Sequence, residues 1–567
     1  APARKADLGS MISSMPGVEL VVILLAVSAA LRLVARRLRV PHPVLLVLAG
    51  LALVFVPGLP RVEFEPEALF IVFVPPLLYW AALTSSLRDF RAQLWPILRY
   101  GTLVVLLTIA AVAAVAHRFI PEFSSWPAAF TLGAIVSPPD PVAAIAVLRS
   151  VGAQRLLSTI LEGEGLVNDA TALVAYRLAI GAAVTGSFSA GRAALGFVLT
   201  GIGGVAVGLA IGWLILQVRR QVRGFPIVEN TISLLTPFFA YLPAEWLKLS
   251  GILSVVTVGL YLSRQGPRVT PAATRIQAES MWIMVQFILE SMIFILVGLE
   301  LPLVLRTLRT HELGTLLLYG GLITATVIGV RIVYTFPVAA LLRRTRRGKP
   351  NAGTPSWRQA AFLGWAGMRG GDSLVIALAL PVVTAAGGPF PARGLIIFIT
   401  FTVILATLVL QGPTLAPLVR WWGLTEGESD TEEAHARRVV AEAGLRRLEK
   451  EAKRDGVDRA AVHFLEATYR RSVQRWSARD RARHGQADEE HARLAGIDGT
   501  RAERVASSYR GLRAGMIAAE REALVRLRDR GVIGDDVLRR VQRDLDLETM
   551  LLESAEDGAP ASPYEVE

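Results

Sequence analysis

The chain has no cysteine. Disulfide staples, thiolate metal sites and cysteine nucleophiles are therefore excluded, although this identifies no compartment. Charge is also scarce: Asp, Glu, Lys and Arg make up 19% of the 567 residues against 53% hydrophobic ones, and the mean hydropathy is +0.46. So few charges cannot coat a soluble protein of this size, and an integral membrane protein is indicated. The 60 Lys and Arg outnumber the 48 Asp and Glu. Many of these bases lie in short loops between apolar runs, where they anchor topology, so no nucleic-acid partner is expected. No cleavable signal peptide is evident, and the opening APARKADLGS before Met11 reads as an expression remnant outside the fold.

What the chain has instead is a succession of apolar stretches, each long enough to cross a hydrocarbon core and each ended by Arg, Pro or Gly. We count about thirteen, centred near Leu25, Leu48, Pro75, Leu107, Ile135, Val167, Ala206, Leu235, Val256, Ile293, Thr326, Ser373 and Leu405. The odd-numbered loops carry Arg36, Arg37 and Arg39, then Arg219, Arg220 and Arg223, then Arg264, Arg268 and Arg275, then Arg343, Arg344, Arg346 and Arg347. The even-numbered loops hold little beyond Arg61, Arg118, Arg309 and Lys248. By the positive-inside rule the N-terminus is expected outside and the C-terminus in the cytoplasm. Three divisions follow: an N-terminal extension over 1–16, a transmembrane domain over 17–423, and a cytoplasmic helical C-terminal domain over 424–567.

The fifth span reads TLGAIVSPPDPVAAIAVL, with Pro138, Pro139 and Pro141 at its centre. Proline removes a helix hydrogen bond and clashes with the preceding turn, so this helix should break. Irregular backbone at membrane depth survives only where it is buried in protein or lines a cavity, so the break points to a site. Asp140 precedes a proline and is pushed out of helical geometry, where it can cap the second half-helix. The twelfth span, LGWAGMRGGDSLVIALALP, is weak at Gly367 and Arg369-Gly370-Gly371-Asp372 and carries charge in mid-span. If two six-span repeats flank the seventh span, the two breaks correspond, as in inverted repeats whose discontinuous helices cross at the midplane.

The sixth span, LLSTILEGEGLVNDATALVAY, puts Glu162, Glu164, Asn168 and Asp169 into an apolar helix. Charges there cost several kcal/mol, so they need a task or a partner. Gly165 and Asp169 share a face, and Glu164 lies on another. A desolvated carboxylate lets a proton and a bare cation compete for the same oxygens. Carboxylate, carbonyl and water oxygens suit a monovalent cation, with Asp169 as its main ligand. Arg369 is the expected counter-charge for Glu164, and Asp372 is either a partner for Arg369 or an additional titrating acid. Glu290, Glu300 and Arg331 are read as packing or rim charges.

These segments resemble a known family. LEGEGLVNDATALV, SPPDPVAA and GWAGMRGGDSLVIALALP are similar to three signature segments of the sodium/proton exchangers, in their electroneutral cation:proton antiporter branch. LESMIFILVGLELP, VRIVYTFP and the tail stretch ALVRLRDRGVIGDDVLRRVQRDLDLE resemble further segments of bacterial members. The resemblance implies a polytopic all-α protein, a homodimer in the bacterial inner membrane, and a scaffold beside a six-helix core that moves in an elevator-like way. It makes Asp169 the carrier of ion and proton, Asn168 its partner in an Asn-Asp pair, and Glu164 the acid paired with Arg369. It puts Pro139 and Asp140 at the unwound crossing. Three positions depart from the family pattern: Gly165 replaces a serine ligand, Pro139 replaces a threonine and can offer only its carbonyl, and Asp372 stands where an apolar residue is usual.

The reading is thus an antiporter, not an enzyme, that uses no cofactor and exchanges sodium or lithium for protons; potassium/proton exchange fits the same residues. A cation channel would need a filter loop, and none is visible. An intramembrane aspartyl protease would need two aspartates sharing one water, for which Asp140, Asp169 and Asp372 are the candidates. After Thr425 the chain turns to Ala, Arg, Glu and Leu with helical spacing. It has no Rossmann, P-loop or metal-spaced pattern there, and a regulatory partner for this tail is not identified. Asp535 and Asp536 offer an N-cap for the last helix, Gly531 a stop for the one before, and 554–567 reads as disordered.

Overall fold

The computed structural model describes residues 16–38, 42–55, 66–86, 90–91, 93–185, 190–308, 311–345, 356–384, 388–425, 428–453, 457–479 and 499–554. The expectations for the opening extension up to residue 15, for loop residues Arg39, Arg61, Arg309, Arg346 and Arg347, and for 555–567 lie outside the described residues. Helix accounts for 86% of the structure, and no strand occurs among the described residues. That is what a hydrocarbon solvent imposes, because a helix satisfies its backbone within one segment.

The chain divides into two units. The first contains α1 (Pro16–Leu38), α2 (His42–Leu53), α3 (Pro66–Thr84), α4 (Leu94–Phe119), α5 (Trp126–Val136), α6 (Pro141–Ser150) and α7 (Arg155–Thr185). It continues with most of α8 (Ala190–Gln221), α9 (Pro226–Trp246), α10 (Gly251–Val269) and α11 (Ala272–Thr307), then α12 (Leu313–Thr345), α13 (Trp357–Trp365), α14 (Gly371–Leu378) and α15 (Arg393–Trp421). Every expected span centre lies inside one of these helices. Among the described residues, 6 helices are by themselves long and apolar enough to cross a membrane, and shorter apolar helices include Val21–Ala35, His42–Leu53, Ala68–Thr84 and Trp126–Val136. Pro75 and Pro76 are accommodated inside α3.

Both expected breaks are present. The helix stops at Val136 and restarts at Pro141, and a second helix stops at Trp365 and restarts at Gly371. The second break lies over Ala366–Gly370, so Gly371 and Asp372 already belong to the first turn of α14, slightly later than the glycine pattern suggested. Within α4, the turn over Arg99–Val104 is a π-helix, which brings Tyr100 into the interior. Such bulges widen one turn and are frequent beside functional sites.

The second unit comprises 219–230, 266–279 and 426–567. Its helices α16 (Glu428–Glu451), α17 (Arg459–Arg479), α18 (Gly499–Asp529) and α19 (Asp535–Ser554) bury one apolar stripe each. Ile517, Leu524, Ile533, Val537 and Val541 form one core, and Leu448, Leu465, Leu512 and Met516 another. As expected, α19 starts at Asp535, and Gly531 ends the preceding helix with φ +81°. Asp546 of α19, almost wholly buried, accepts from Arg521 Nη2 at 2.8 Å and from Arg275 Nε at 2.8 Å. Arg513 is likewise buried, between Glu520 and Glu548. Burial raises Glu520 above the ordinary carboxylate range, while Arg513 opposes that shift.

Candidate functional site

The two breaks meet. Asp140 N–H donates to Met368 O at 2.8 Å, which joins the first break directly to the second. Gly370 is packed onto the Asp140 carboxyl so closely that a Cβ there would lie 2.0 Å from Oδ2. No residue with a side chain fits this approach without a shift.

A broken helix leaves carbonyls without partners, and its C-terminal end carries partial negative charge. Arg369 answers both needs: its Nε donates to Val136 O at 2.8 Å, Nη2 to Ser137 O at 2.9 Å, and Nη1 to Gly367 O. Arg393 does the same for α14, donating to Leu378 O at 3.2 Å and Leu380 O at 3.1 Å. Arg369 is 2% exposed and its guanidinium is spent on these carbonyls. The expected pairing of Arg369 with Glu164 is therefore incorrect, as is its neutralisation by Asp372.

Glu164 is held by Arg331 of α12. Nη2 donates to Oε2 at 2.7 Å and Nη1 to Oε1, a two-pronged contact with both side chains buried. Arg331 Nε donates to Leu363 O at 2.8 Å, and its guanidinium lies 5.7 Å from the Tyr100 ring centroid, beside the π turn. Arg331 is thus no rim charge. Its signal was available, an arginine inside the apolar run ATVIGVRIVYTFPV, but two arginines competed for one acid and only the three-dimensional packing chose.

On α7, Asn168 is fully buried and its Nδ2 donates to Pro139 O at 2.8 Å, which ties α7 to the first break. Its Oδ1 is also buried and has no hydrogen-bond partner. Asp169, next in the chain, is in charge contact with Asp372 and Asp140. Asp169, Asp140 and Asp372 all keep partial exposure, unlike Glu164 and Asn168, so the acids line an opening rather than a sealed core. Carboxylates facing one another repel unless a proton or cation lies among them. Gly165 lies against Pro141: a Cβ would fall 2.3 Å from Pro141 Cγ, so its side-chain direction is filled by the ring and is not open towards an ion.

Comparison with known proteins agrees with this geometry. Residues 22–421 match the model of the family described as "Sodium/hydrogen exchanger, transmembrane". A Na+/H+ exchanger of Mycobacterium tuberculosis is 34% identical over 94% of this chain and 96% of its own length. A sodium, potassium, lithium and rubidium/H+ antiporter of Bacillus subtilis is 30% identical over 92% of this chain and 76% of its own. The solved sodium proton antiporter MjNhaP1 from Methanocaldococcus jannaschii superposes with a TM-score of 0.55 at 18% identity, covering 72% of this chain and 97% of the other.

Proposed function

The chain belongs to the sodium/hydrogen exchanger family, which makes it a multi-pass membrane transporter and not an enzyme, and on that premise we propose that it exchanges sodium for protons with Asp169 as the shared carrier. The observation that carries this reading is the placement of Asn168-Asp169 against the meeting point of the two breaks, where Asp169 keeps partial exposure beside Asp140 and Asp372. A carboxylate there binds either a proton or a dehydrated cation, so release of one admits the other.

The residues around it take separate roles. Asn168 braces the broken backbone through Pro139 O and leaves its own Oδ1 for cargo or water. Glu164 and Arg331 neutralise each other and hold α7 against α12. Arg369 keeps the carbonyl end of α5 in place. Because Asn168 is neutral, a single carrier exchanges one cation for one proton, provided Asp372 keeps its charge through the cycle. The wider setting is a homodimer in a bacterial inner membrane, N-terminus outside and tail inside, alternating access by an elevator-like motion and serving pH homeostasis.

Potassium exchange is a second reading with a specific basis. Among the described residues no three acidic or histidine side chains converge closely enough to cage a metal ion. Water must then complete the ion's shell, and a wet site discriminates poorly by size. Uptake of sodium, lithium and potassium into proteoliposomes under an imposed proton gradient separates the readings. Sodium preference supports the first, equal rates support the second, and conduction without a proton gradient overturns both.

A further inference from the structure

A fourth acid faces the site from outside the two broken helices and α7. Glu290 lies midway along α11, is incompletely buried, and accepts from Gln286 Nε2 at 2.7 Å one turn earlier. One turn later, Ile293 presses on the start of α14, where a Cβ on Gly371 would lie 2.6 Å from Ile293 Cγ2. Residues three and four apart share a helix face, so Gln286, Glu290 and Ile293 present one side of α11 to the turn that carries Asp372. Glu290 is accordingly in charge contact with Asp140 and Asp372.

Towards the α1–α2 end the same helix meets bases. The Arg32 guanidinium lies 4.8 Å from the Phe287 ring centroid, and His42 stacks on that ring at 5.7 Å. His42 also contacts Ser28 O at 3.5 Å. Arg32 is the attractive charge acting on Glu290. Polar groups thus run in order from Arg32 and His42, past Gln286, to Glu290, and on to Asp372, Asp140 and Asp169. A cation crossing a low-dielectric region needs compensating charge along its route, and Glu290 supplies it where α11 would otherwise offer only apolar surface.

We propose that Glu290 is a relay carboxylate that passes the monovalent cation between the α1–α2 end of the molecule and Asp169, with Arg32 as its counter-charge when no cation is present. This rests on the exchange reading above. With the relay empty, the Arg32 charge offsets that of Glu290 and spares the acid an uncompensated buried charge. With a cation on Glu290, Asp140 and Asp372 draw it onward.

The test is sodium-dependent, proton-coupled uptake in proteoliposomes at fixed pH for wild type, Glu290→Gln, Glu290→Asp and Arg32→Gln, with melting temperature in detergent as the folding control. Losing one attractive charge on the route should raise the apparent KM of Glu290→Gln for sodium about five- to tenfold while Vmax changes less than about twofold. Glu290→Asp should recover a KM near wild type. Arg32→Gln should move KM the other way, about two- to threefold lower, because the competing base is gone. A packing charge would lower Vmax and melting temperature together and leave KM alone, which overturns the relay. Should Glu290→Gln fail to fold, an unchanged or raised KM in Arg32→Gln overturns it. Wild type without proton-coupled uptake, or Asp169→Asn with full uptake, overturns the exchange reading and the relay with it. A working wild type with an indifferent Glu290→Gln overturns the relay alone.

Discussion

Arg331 and Glu164, 167 residues apart in sequence, face each other with both guanidinium ends on both carboxylate oxygens, and neither reaches solvent. Removing either partner strands the other as a buried charge. Arg331→Ala should therefore destabilise the protein by about 3–5 kcal/mol, as buried pairs do when broken on one side. The melting temperature in detergent should fall clearly, and Glu164→Gln should fall less because it leaves hydrogen-bonding capacity. An unchanged melting temperature in Arg331→Ala would contradict the pairing.

Arg369 has a different dependence. Its loss uncovers the carbonyls of Val136, Ser137 and Gly367 but leaves no carboxylate unpaired. Arg369→Lys keeps the charge yet cannot reach all three acceptors from one ammonium, so it should reproduce most of the damage of Arg369→Ala. A lysine variant with wild-type transport and stability would show that charge alone matters there.

Asp169→Asn preserves shape and removes the proton-binding oxygen, so exchange should disappear while folding, followed by gel filtration and melting temperature, is retained. Exchange at the wild-type rate would remove Asp169 as carrier.

Gly165→Ser is expected to impair the protein rather than sharpen its ion preference. A Cβ would lie 2.3 Å from the Pro141 ring, and overpacking of this kind costs about 1–3 kcal/mol. Vmax and melting temperature should drop, with the ratio of sodium to potassium KM unaltered. A serine variant of normal stability and altered ion ratio would place the glycine at the ion after all.

In the tail, Asp546→Ala would leave Arg275 and Arg521 without their shared acceptor, so 266–279 and α19 should lose their mutual restraint. Limited proteolysis should cut within 266–279 or after residue 534 faster than in wild type. Identical digestion patterns would mean that the contact contributes nothing to holding the segments.

Several features were legible in the sequence because they follow from local chemistry. A helix cannot run through Pro138, Pro139 and Pro141, so the break after Val136 needs no tertiary information. Hydrocarbon requires helices, so the all-helical class followed from hydropathy. Asn168-Asp169 in an apolar segment announced a site by its cost. The extent of the second break was less legible, since glycines permit interruption without dictating its end, and Gly371 joined the following helix.

Partnership among distant charges could not be read at all. Arg331 and Arg369 have equal charge and comparable apolar surroundings, and either could have met Glu164. The choice fell to geometry: α12 brings Arg331 to α7, whereas the crossing hands Arg369 the orphan carbonyls of α5. Likewise a glycine at 165 is silent about what fills its side-chain direction, and a glutamate at 290 about which acids it faces. The sequence by itself determined where the chain must be helical, where it must break and which acids are costly enough to matter; the tertiary structure alone decided which charge meets which, because that depends on how helices far apart in sequence pack together.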